Sequence, residues 1–330
     1  MSARLGTDWL WERLTSFSDT YTCYSAAVAT WVACEHDDWS RVVDPGLWLT
    51  VGERPDGLFA FAHFPPGLRA GLGLVRTGMD GAAPDAVAAV LQELGRSGRV
   101  IVAGDGFQLP WHVAFKRRHV PHWYVVLDAP EGPTVLDPFA CRNELGLQEA
   151  SRRVVGEDEL EQLITGLPGD DPVLALREAL ALGDDAGLPA RLRYQWYVRG
   201  AVGEQRAPAG AHGPDAVLLL ASHFRADGQE PSAYGQADDL WSIARHRAFL
   251  CRYAQQQAST DGNEALANWV GEHAAPLAKK WGHIAPLVMQ ASLALSAGRA
   301  ASASVPDTLE QLAELERSAA AAFTQNSFTI

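Results

Sequence analysis

Short apolar runs broken by turn residues dominate the first half of the sequence. Such runs, bounded by Gly, Pro or Asp, are typical of strands. Strands are predicted over 47–51, 58–64, 72–76, 100–103, 122–127 and 134–137. The last two flank the turn-rich segment 129–133, which indicates a β-hairpin. Two helices are expected among these strands, one from Cys23 to Ala33 with Thr22 as its N-cap and one from Pro84 to Leu94.

The pattern changes after about residue 150, where apolar residues recur every third or fourth position, as in amphipathic helices. Helices are predicted over 157–164, 172–182, 216–224, 237–257, 263–280, 284–297 and 308–323. The segment 192–198 is ambiguous, and the Pro- and Gly-rich segment 207–214 has the composition of a linker. We therefore expect an α+β fold in two domains, a catalytic core over 1–150 and a mostly helical region over 151–330.

Composition narrows the possible partners. The chain has 330 residues, 27 of them basic and 40 acidic, for a net charge of −13. Such a charge disfavours nucleic acids and anionic membrane surfaces. The N-terminus lacks the pattern of a signal peptide, and no apolar run approaches the ~20 residues of a membrane helix. Four cysteines without a CxxC pair indicate neither a disulfide framework nor a structural zinc site. We expect a cytoplasmic protein with no bound metal or cofactor.

One cysteine lies where a nucleophile is favoured. Cys23 is predicted in the first turn of a helix, where free N–H groups and the helix dipole stabilise a thiolate. Its own backbone N–H is also placed to stabilise an oxyanion. His122 opens a predicted strand, and Asp137 ends the other arm of the same hairpin. This chain order is typical of papain-type sites, so Cys23, His122 and Asp137 are predicted as nucleophile, base and orienting group.

Other chemistries find weaker support. Cys34 precedes an acidic stretch that opposes a thiolate, and Cys251 lies within a long predicted helix. Cys141 follows Asp137 too closely to pair with it. The spacing of His112, His119 and His122 matches no common zinc pattern. A cysteine in an apolar helix is often an inert core residue, so a non-catalytic scaffold remains an alternative.

Three segments resemble one enzyme family. They are Gly-Asp-Gly-Phe-Gln-Leu-Pro-Trp at 104–111, the His-containing run at 118–126 and Leu-Asp-Pro at 136–138, with Cys-Tyr-Ser-Ala at 23–26 upstream. Together they are similar to the butirosin biosynthesis protein H type acyltransferases. The resemblance is strongest over 20–140.

The resemblance implies a papain-like fold and a reaction. Members of the family accept an acyl or aminoacyl group from the phosphopantetheine thioester of a carrier protein onto cysteine. They then pass the group to an amine during natural-product biosynthesis. Carried over, these roles make Cys23 the nucleophile, His122 the base and Asp137 its orienting group. The expected donor is a carrier-bound phosphopantetheine thioester, and the expected acceptor is a small-molecule amine.

The resemblance also suggests binding residues. The residues expected to bind substrate are Asp105, Gln108, Trp111, Tyr24 and Trp123. The basic run Lys116, Arg117 and Arg118 is a candidate docking patch for an acidic carrier protein, with a solvated loop as the alternative.

One departure concerns the oxyanion site. Related leader peptidases carry a Gln six residues before the cysteine, where this chain has Phe17. Ser18, Asp19, Thr20 and Gln108 are the alternative donors. The missing Gln weakens a leader peptidase, whereas a thioesterase or cyclase with the same intermediate remains an alternative.

Overall fold

The structure is a computed structural model that describes residues 7–36, 39, 47–54, 57–63, 71–167, 192–201 and 209–326. The α-helices in these ranges are α1 (Thr7–Thr15), α2 (Cys23–Ala33), α3 (Ala83–Ser97), α4 (Glu157–Leu163), α5 (Pro214–Asp227), α6 (Ala237–Asp261), α7 (Glu264–Trp269), α8 (Ala275–Trp281), α9 (Ile284–Ser296) and α10 (Ser304–Gln325). The strands are β1 (Thr50–Glu53), β2 (Phe59–Ala62), β3 (Leu74–Met79), β4 (Arg99–Asp105), β5 (Pro121–Ala129), β6 (Gly132–Asp137), β7 (Cys141–Asn143), β8 (Gly146–Gln148), β9 (Ser151–Val154), β10 (Tyr194–Arg199) and β11 (Ala211–His212). The fold is α+β with antiparallel sheets, as expected.

The chain divides into two compact units. The first comprises residues 1–43 and 66–206, and the second comprises residues 44–65 and 207–330. This division differs from the boundary expected near residue 150. Strands β9 and β10 lie beyond that residue and still belong to the large sheet of the first unit, whereas β1 and β2 belong to the second.

A six-stranded antiparallel sheet forms the centre of the first unit, in the order β3-β10-β4-β5-β6-β9. Every residue of β4 is buried, so both faces of the sheet are covered at its centre. On one face Val100, Val102 and Val126 pack in a cluster with residues of α3 and α4. Helix α2 packs against β4, β5 and β6, which places its first residue beside the strands of the predicted hairpin.

The second unit combines the three-stranded sheet β11-β1-β2 with helices α5 to α10. Its interior holds an ion pair in which Arg247 Nε donates to Glu316 Oε1 over 2.7 Å. The indole N–H of Trp281 donates to the same carboxylate oxygen, at 2.8 Å. Because the charges are paired and hydrogen-bonded, the helices can bury them.

Several predicted elements are confirmed. Strands β5 and β6 pair as an antiparallel hairpin, and α2 begins at Cys23 behind Thr22. The ambiguous segment 192–198 contains strand β10, which pairs with β3 and β4.

Other elements differ from expectation. Helix α3 runs through Gly95 and ends at Ser97, before the C-cap Gly98, whose φ of 75° suits a glycine. Part of the expected linker, Ala211–His212, is strand β11. A π-helical turn, Val270–Ala274, interrupts the helix expected over 263–280 just before Pro276, which lacks a backbone N–H. The helix predicted over 172–182 lies outside the described residues. In the described part of the chain, no helix combines the length and apolar character needed to cross a membrane.

Candidate active site

Cys23 is the first residue of α2, and a capping box fixes that position. The Thr22 hydroxyl accepts from the backbone N–H of Ser25 at 3.2 Å, and the Ser25 hydroxyl accepts from the backbone N–H of Thr22 at 2.8 Å. The backbone N–H of Cys23 makes no hydrogen bond within the described ranges. The thiol, which is partly exposed, and a free N–H donor therefore lie together at the start of the helix.

His122 and Asp137 meet across the β5–β6 hairpin. The observed pairing of Val125 with Leu136 places Tyr124 opposite Asp137, so His122 and Asp137 are diagonal neighbours on one face. His122 Nε2 lies 2.7 Å from Asp137 Oδ2, and both side chains are buried. His122 also forms a side-chain hydrogen bond with Cys23. Since Nε2 faces the carboxylate, Nδ1 is the ring nitrogen that serves the thiol.

The electrostatics of the site act mainly on His122. Burial lowers the pKa of this imidazole, but the charge of Asp137 and the hydrogen bonds with Asp137 and Cys23 outweigh it and raise the pKa to about 10. His122 therefore carries a proton at neutral pH. A cationic imidazole beside a cysteine favours the thiolate and supplies a general acid for a leaving group.

The carboxylate of Asp137 is held by four donors. Oδ2 accepts from His122, from Trp111 Nε1 at 2.7 Å and from Gln148 Nε2 at 3.3 Å. Oδ1 accepts from the backbone N–H of Phe139 at 3.2 Å. These contacts fix the orientation of the carboxylate, and through it that of the His122 ring.

His112 packs against the base. Its ring meets the His122 ring edge-on, with centroids 4.5 Å apart, and its Nδ1 accepts from the backbone N–H of Ala114 at 3.0 Å. A Cβ at residue 106 would lie 2.7 Å from His112 Nδ1, so Gly106 is required for this approach. The sequence offers His112 only as a candidate metal ligand, in a spacing that matches no common zinc pattern, and no local pattern indicates its contact with His122.

Asp105, expected to bind substrate, holds together the ends of the loop 106–120. Its carboxylate accepts from the backbone N–H of Phe107 at 3.0 Å and of Val120 at 3.3 Å. It also bonds to His119 Nδ1 at 2.5 Å. The side chain is buried, and its contacts stabilise the loop that carries Trp111 and His112.

Two other expected substrate-binding residues lie on this loop. Trp111 is partly exposed, and its indole N–H is used to bind Asp137. Gln108 is also partly exposed, and its Oε1 accepts from Lys116 Nζ at 2.6 Å. Its NH₂ group makes no hydrogen bond in the described part of the chain, so it remains a candidate oxyanion donor. The hydroxyl of Thr20, another candidate, donates to the carbonyl of Phe17 at 2.7 Å.

The last two expected substrate-binding residues are buried. Trp123 is 3% exposed and follows His122 on β5, so the alternation of a strand directs it to the opposite face. Tyr24 follows Cys23 in α2 and is 9% exposed. The structure therefore brings Cys23, His122 and Asp137 together and adds Gln148, which no sequence pattern had indicated.

The basic run is exposed on the same loop. Lys116 has a left-handed backbone, with φ of 56°, and its Nζ lies 5.0 Å from the centroid of the Phe107 ring. Arg117 donates to the carbonyl of Leu145, and Arg118 lies 3.8 Å from the Glu144 carboxylate. Arg117 and Arg118 therefore border the turn of the β7–β8 hairpin, whereas Lys116 contacts Phe107 on its own loop.

Cys34 and Cys251 are less suited to nucleophilic chemistry. Burial raises the pKa of the Cys34 thiol to about 11, with Arg99 opposing the shift and Glu35 adding to it. Burial also raises the pKa of Cys251. Across the described ranges, no group of three or more His, Cys, Asp or Glu side chains is arranged to hold a metal ion.

Comparison with known proteins adds no assignment. No protein-family model matches the sequence, and no curated protein matches it either.

Proposed function

We propose that this protein is a cysteine acyltransferase. It takes an acyl, aminoacyl or peptidyl group from the phosphopantetheine thioester of a carrier protein and transfers it to an amine in natural-product biosynthesis. The observation that carries the proposal is the connected set Cys23–His122–Asp137, with the cysteine at a helix start and its backbone N–H unbonded among the described residues. Such a set forms and resolves acyl-cysteine intermediates.

The first half-reaction transfers the acyl group to the enzyme. The Cys23 thiolate attacks the thioester carbonyl, and the tetrahedral oxyanion accepts a hydrogen bond from the Cys23 backbone N–H. The intermediate collapses by breaking the bond between the carbonyl carbon and the pantetheine sulfur. His122 then gives its proton to the departing thiolate.

The second half-reaction forms the amide. The amine attacks the acyl-Cys23 carbonyl, and neutral His122 takes the proton that the nitrogen loses. Breaking the bond from the carbonyl carbon to Cys23 Sγ restores the thiolate and the imidazolium. A thioester is already activated, so amide formation needs no ATP.

The architecture supports a papain-like core. In the first unit, a helix that begins at the cysteine packs on an antiparallel sheet, and successive strands of that sheet carry the histidine and the aspartate. The exposed cations Lys116, Arg117 and Arg118 are on the loop that also carries Trp111, which suits the docking of an acidic carrier protein near the site.

The test is intact-protein mass spectrometry with acyl N-acetylcysteamine and acyl-pantetheine thioesters. Wild-type protein and Cys251→Ala are expected to gain one acyl group that maps to Cys23, whereas Cys23→Ala gains none. Added amines should discharge the acyl-enzyme faster than water does.

The alternatives give different results. Discharge at a rate that no amine changes would indicate a thioesterase, and release of a cyclised acyl chain would indicate a cyclase. An adduct that survives in Cys23→Ala would show that another nucleophile acts. The lack of any adduct, together with a Cys23 that alkylating reagents do not modify, would favour the scaffold.

A further inference from the structure

Gln148 is the one buried residue of the β7–β8 hairpin. The other residues of 141–148 are exposed or partly exposed, whereas Gln148 is 0% exposed. It pairs with Cys141 at the base of the hairpin. In this otherwise solvent-exposed hairpin, Gln148 is thus the one side chain that is buried, and it lies next to Asp137.

The carboxamide of Gln148 is oriented by its two partners. Its Nε2 donates to Asp137 Oδ2 at 3.3 Å, and its Oε1 accepts from the backbone N–H of Val113 at 3.4 Å. The carboxylate requires a donor and the N–H requires an acceptor, so the amide fits in one orientation only. An ionised Glu has no donor for Asp137, and Met has neither donor nor acceptor.

These contacts join two parts of the site. Val113 follows His112, whose ring packs on His122, and Trp111 of the same loop donates to the oxygen that Gln148 binds. Gln148 therefore links the loop 106–120 to Asp137. The titratable or charged groups near this link include Asp137 on β6, His122 on β5, His112 on the loop, Cys23 on α2, Cys141 on β7 and Arg153 on β9. The Arg153 guanidinium lies 5.4 Å from the Trp111 ring, and Arg117 bonds to the turn of the β7–β8 hairpin.

We propose that Gln148 is a positioning residue that holds Asp137 in the orientation required by His122 and thereby sets the reactivity of Cys23. The proposal rests on the role of Cys23 as nucleophile in the proposed function. Gln148 acts through Asp137 and touches neither the thioester nor the amine.

The experiment compares Gln148→Met and Gln148→Glu with wild type. The rate of Cys23 alkylation by iodoacetamide is followed by peptide mapping from about pH 5 to about pH 9. Gln148→Met is expected to react about tenfold more slowly than the wild type over the whole pH range, because it loses roughly one hydrogen bond to a charged group. Gln148→Glu should react at nearly the wild-type rate at the acid end, where its protonated carboxyl donates to Asp137 as the amide does. Relative to the wild type at the same pH, the alkylation rate of Gln148→Glu should fall as the introduced carboxyl ionises beside Asp137.

The control is Leu147→Glu, which adds the same charge on the same strand at a side chain that is 54% exposed. Its pH profile is expected to match that of the wild type. A role in packing alone would slow both Gln148 variants by a factor that does not vary with pH, and that result would overturn the proposal. Recovery of Gln148→Glu on acidification occurs within one protein, so irreversible misfolding of the variant cannot imitate it.

The outcome is separable from the test of function. If the wild type forms an acyl adduct and the Gln148 variants alkylate like the wild type, only the positioning role fails. If the wild type forms no adduct while alkylation follows the expected profiles, only the acyl transfer fails.

Discussion

Asp137 is the residue on which most polar contacts of the candidate site converge. Its carboxylate binds His122, Trp111, Gln148 and the backbone of Phe139, although it is 0% exposed. A buried carboxylate of this kind is tolerated because these four groups donate hydrogen bonds to it. Replacing the carboxylate should therefore impair the function proposed for His122 more than it destabilises the fold.

The variant Asp137→Asn should slow acylation of Cys23 by a factor on the order of 10²–10⁴, because the imidazole loses both its counter-charge and its fixed orientation. The measurement is the rate of adduct formation with an acyl-pantetheine thioester. Asp128→Asn, at an exposed position of the neighbouring strand β5, is the control and should react like the wild type. Equal rates for both variants would contradict the role assigned to Asp137.

His122 should give the folded state a pH-dependent stability. Its pKa is raised from 6.5 to about 10, so pairing with Asp137 contributes fully below pH 6.5, and the contribution disappears as the pH rises through 10. The loss of unfolding free energy in His122→Gln should therefore be largest at acid pH and shrink towards pH 10. Urea denaturation at a series of pH values measures it. The exposed His283→Gln serves for comparison, and a constant difference for His122→Gln would refute the prediction.

At the scale of elements, the start of α2 and the β5–β6 hairpin determine the geometry of the site. The capping box fixes the start of the helix at Cys23. The register of the hairpin sets the distance between His122 and the Asp137 carboxylate. Both are local structures, and both depend on a few side chains or on strand pairing.

Thr22→Ala should lower the unfolding free energy by about 1 kcal/mol, because the N-terminus of α2 loses a capping bond. It should also slow alkylation of Cys23, whose helical turn would fray. Thr22→Ser keeps the hydroxyl and is expected to behave like the wild type in both urea denaturation and alkylation. Identical behaviour of the Ala and Ser variants would show that the cap does not hold Cys23 in place.

At the scale of the whole molecule, all three residues of the triad belong to the first unit, and the buried ion pair Arg247–Glu316 belongs to the second. Each of those two charged side chains is 1% exposed. The pair therefore offers a way to perturb the second unit without changing a residue of the candidate site.

Arg247→Met leaves Glu316 buried without its counter-charge and should destabilise the protein by roughly 3–5 kcal/mol. The double variant Arg247→Met/Glu316→Leu should recover much of that loss. Urea denaturation followed by tryptophan fluorescence, to which the buried Trp281 beside Glu316 contributes, measures both. Arg225→Met, which removes an exposed cation paired with Asp307 and Glu310, should have little effect. If Arg247→Met were as stable as the wild type, the expectation would be refuted.

Strand order was beyond the reach of the sequence, because it depends on pairings between distant segments. Strand β10 inserts between β3 and β4, and β1 and β2 join β11 in the second unit, more than 140 residues further along the chain. The apolar runs predict where strands form but do not predict which strands pair. For the same reason, the expected boundary near residue 150 missed β9 and β10.

By itself, the sequence determined the features that local chemistry specifies: a helix that starts at Cys23, a hairpin whose two arms carry His122 and Asp137, and the basic run Lys116–Arg118 on a loop. Capping, turn residues and alternation act over a few residues, so they can be recognised in the chain. Tertiary structure alone decided that Cys23 meets His122, that His112 packs on His122 and that Gln148 reaches Asp137. Each of those contacts joins segments whose approach depends on how sheet, helix and loop pack together, which no local pattern encodes.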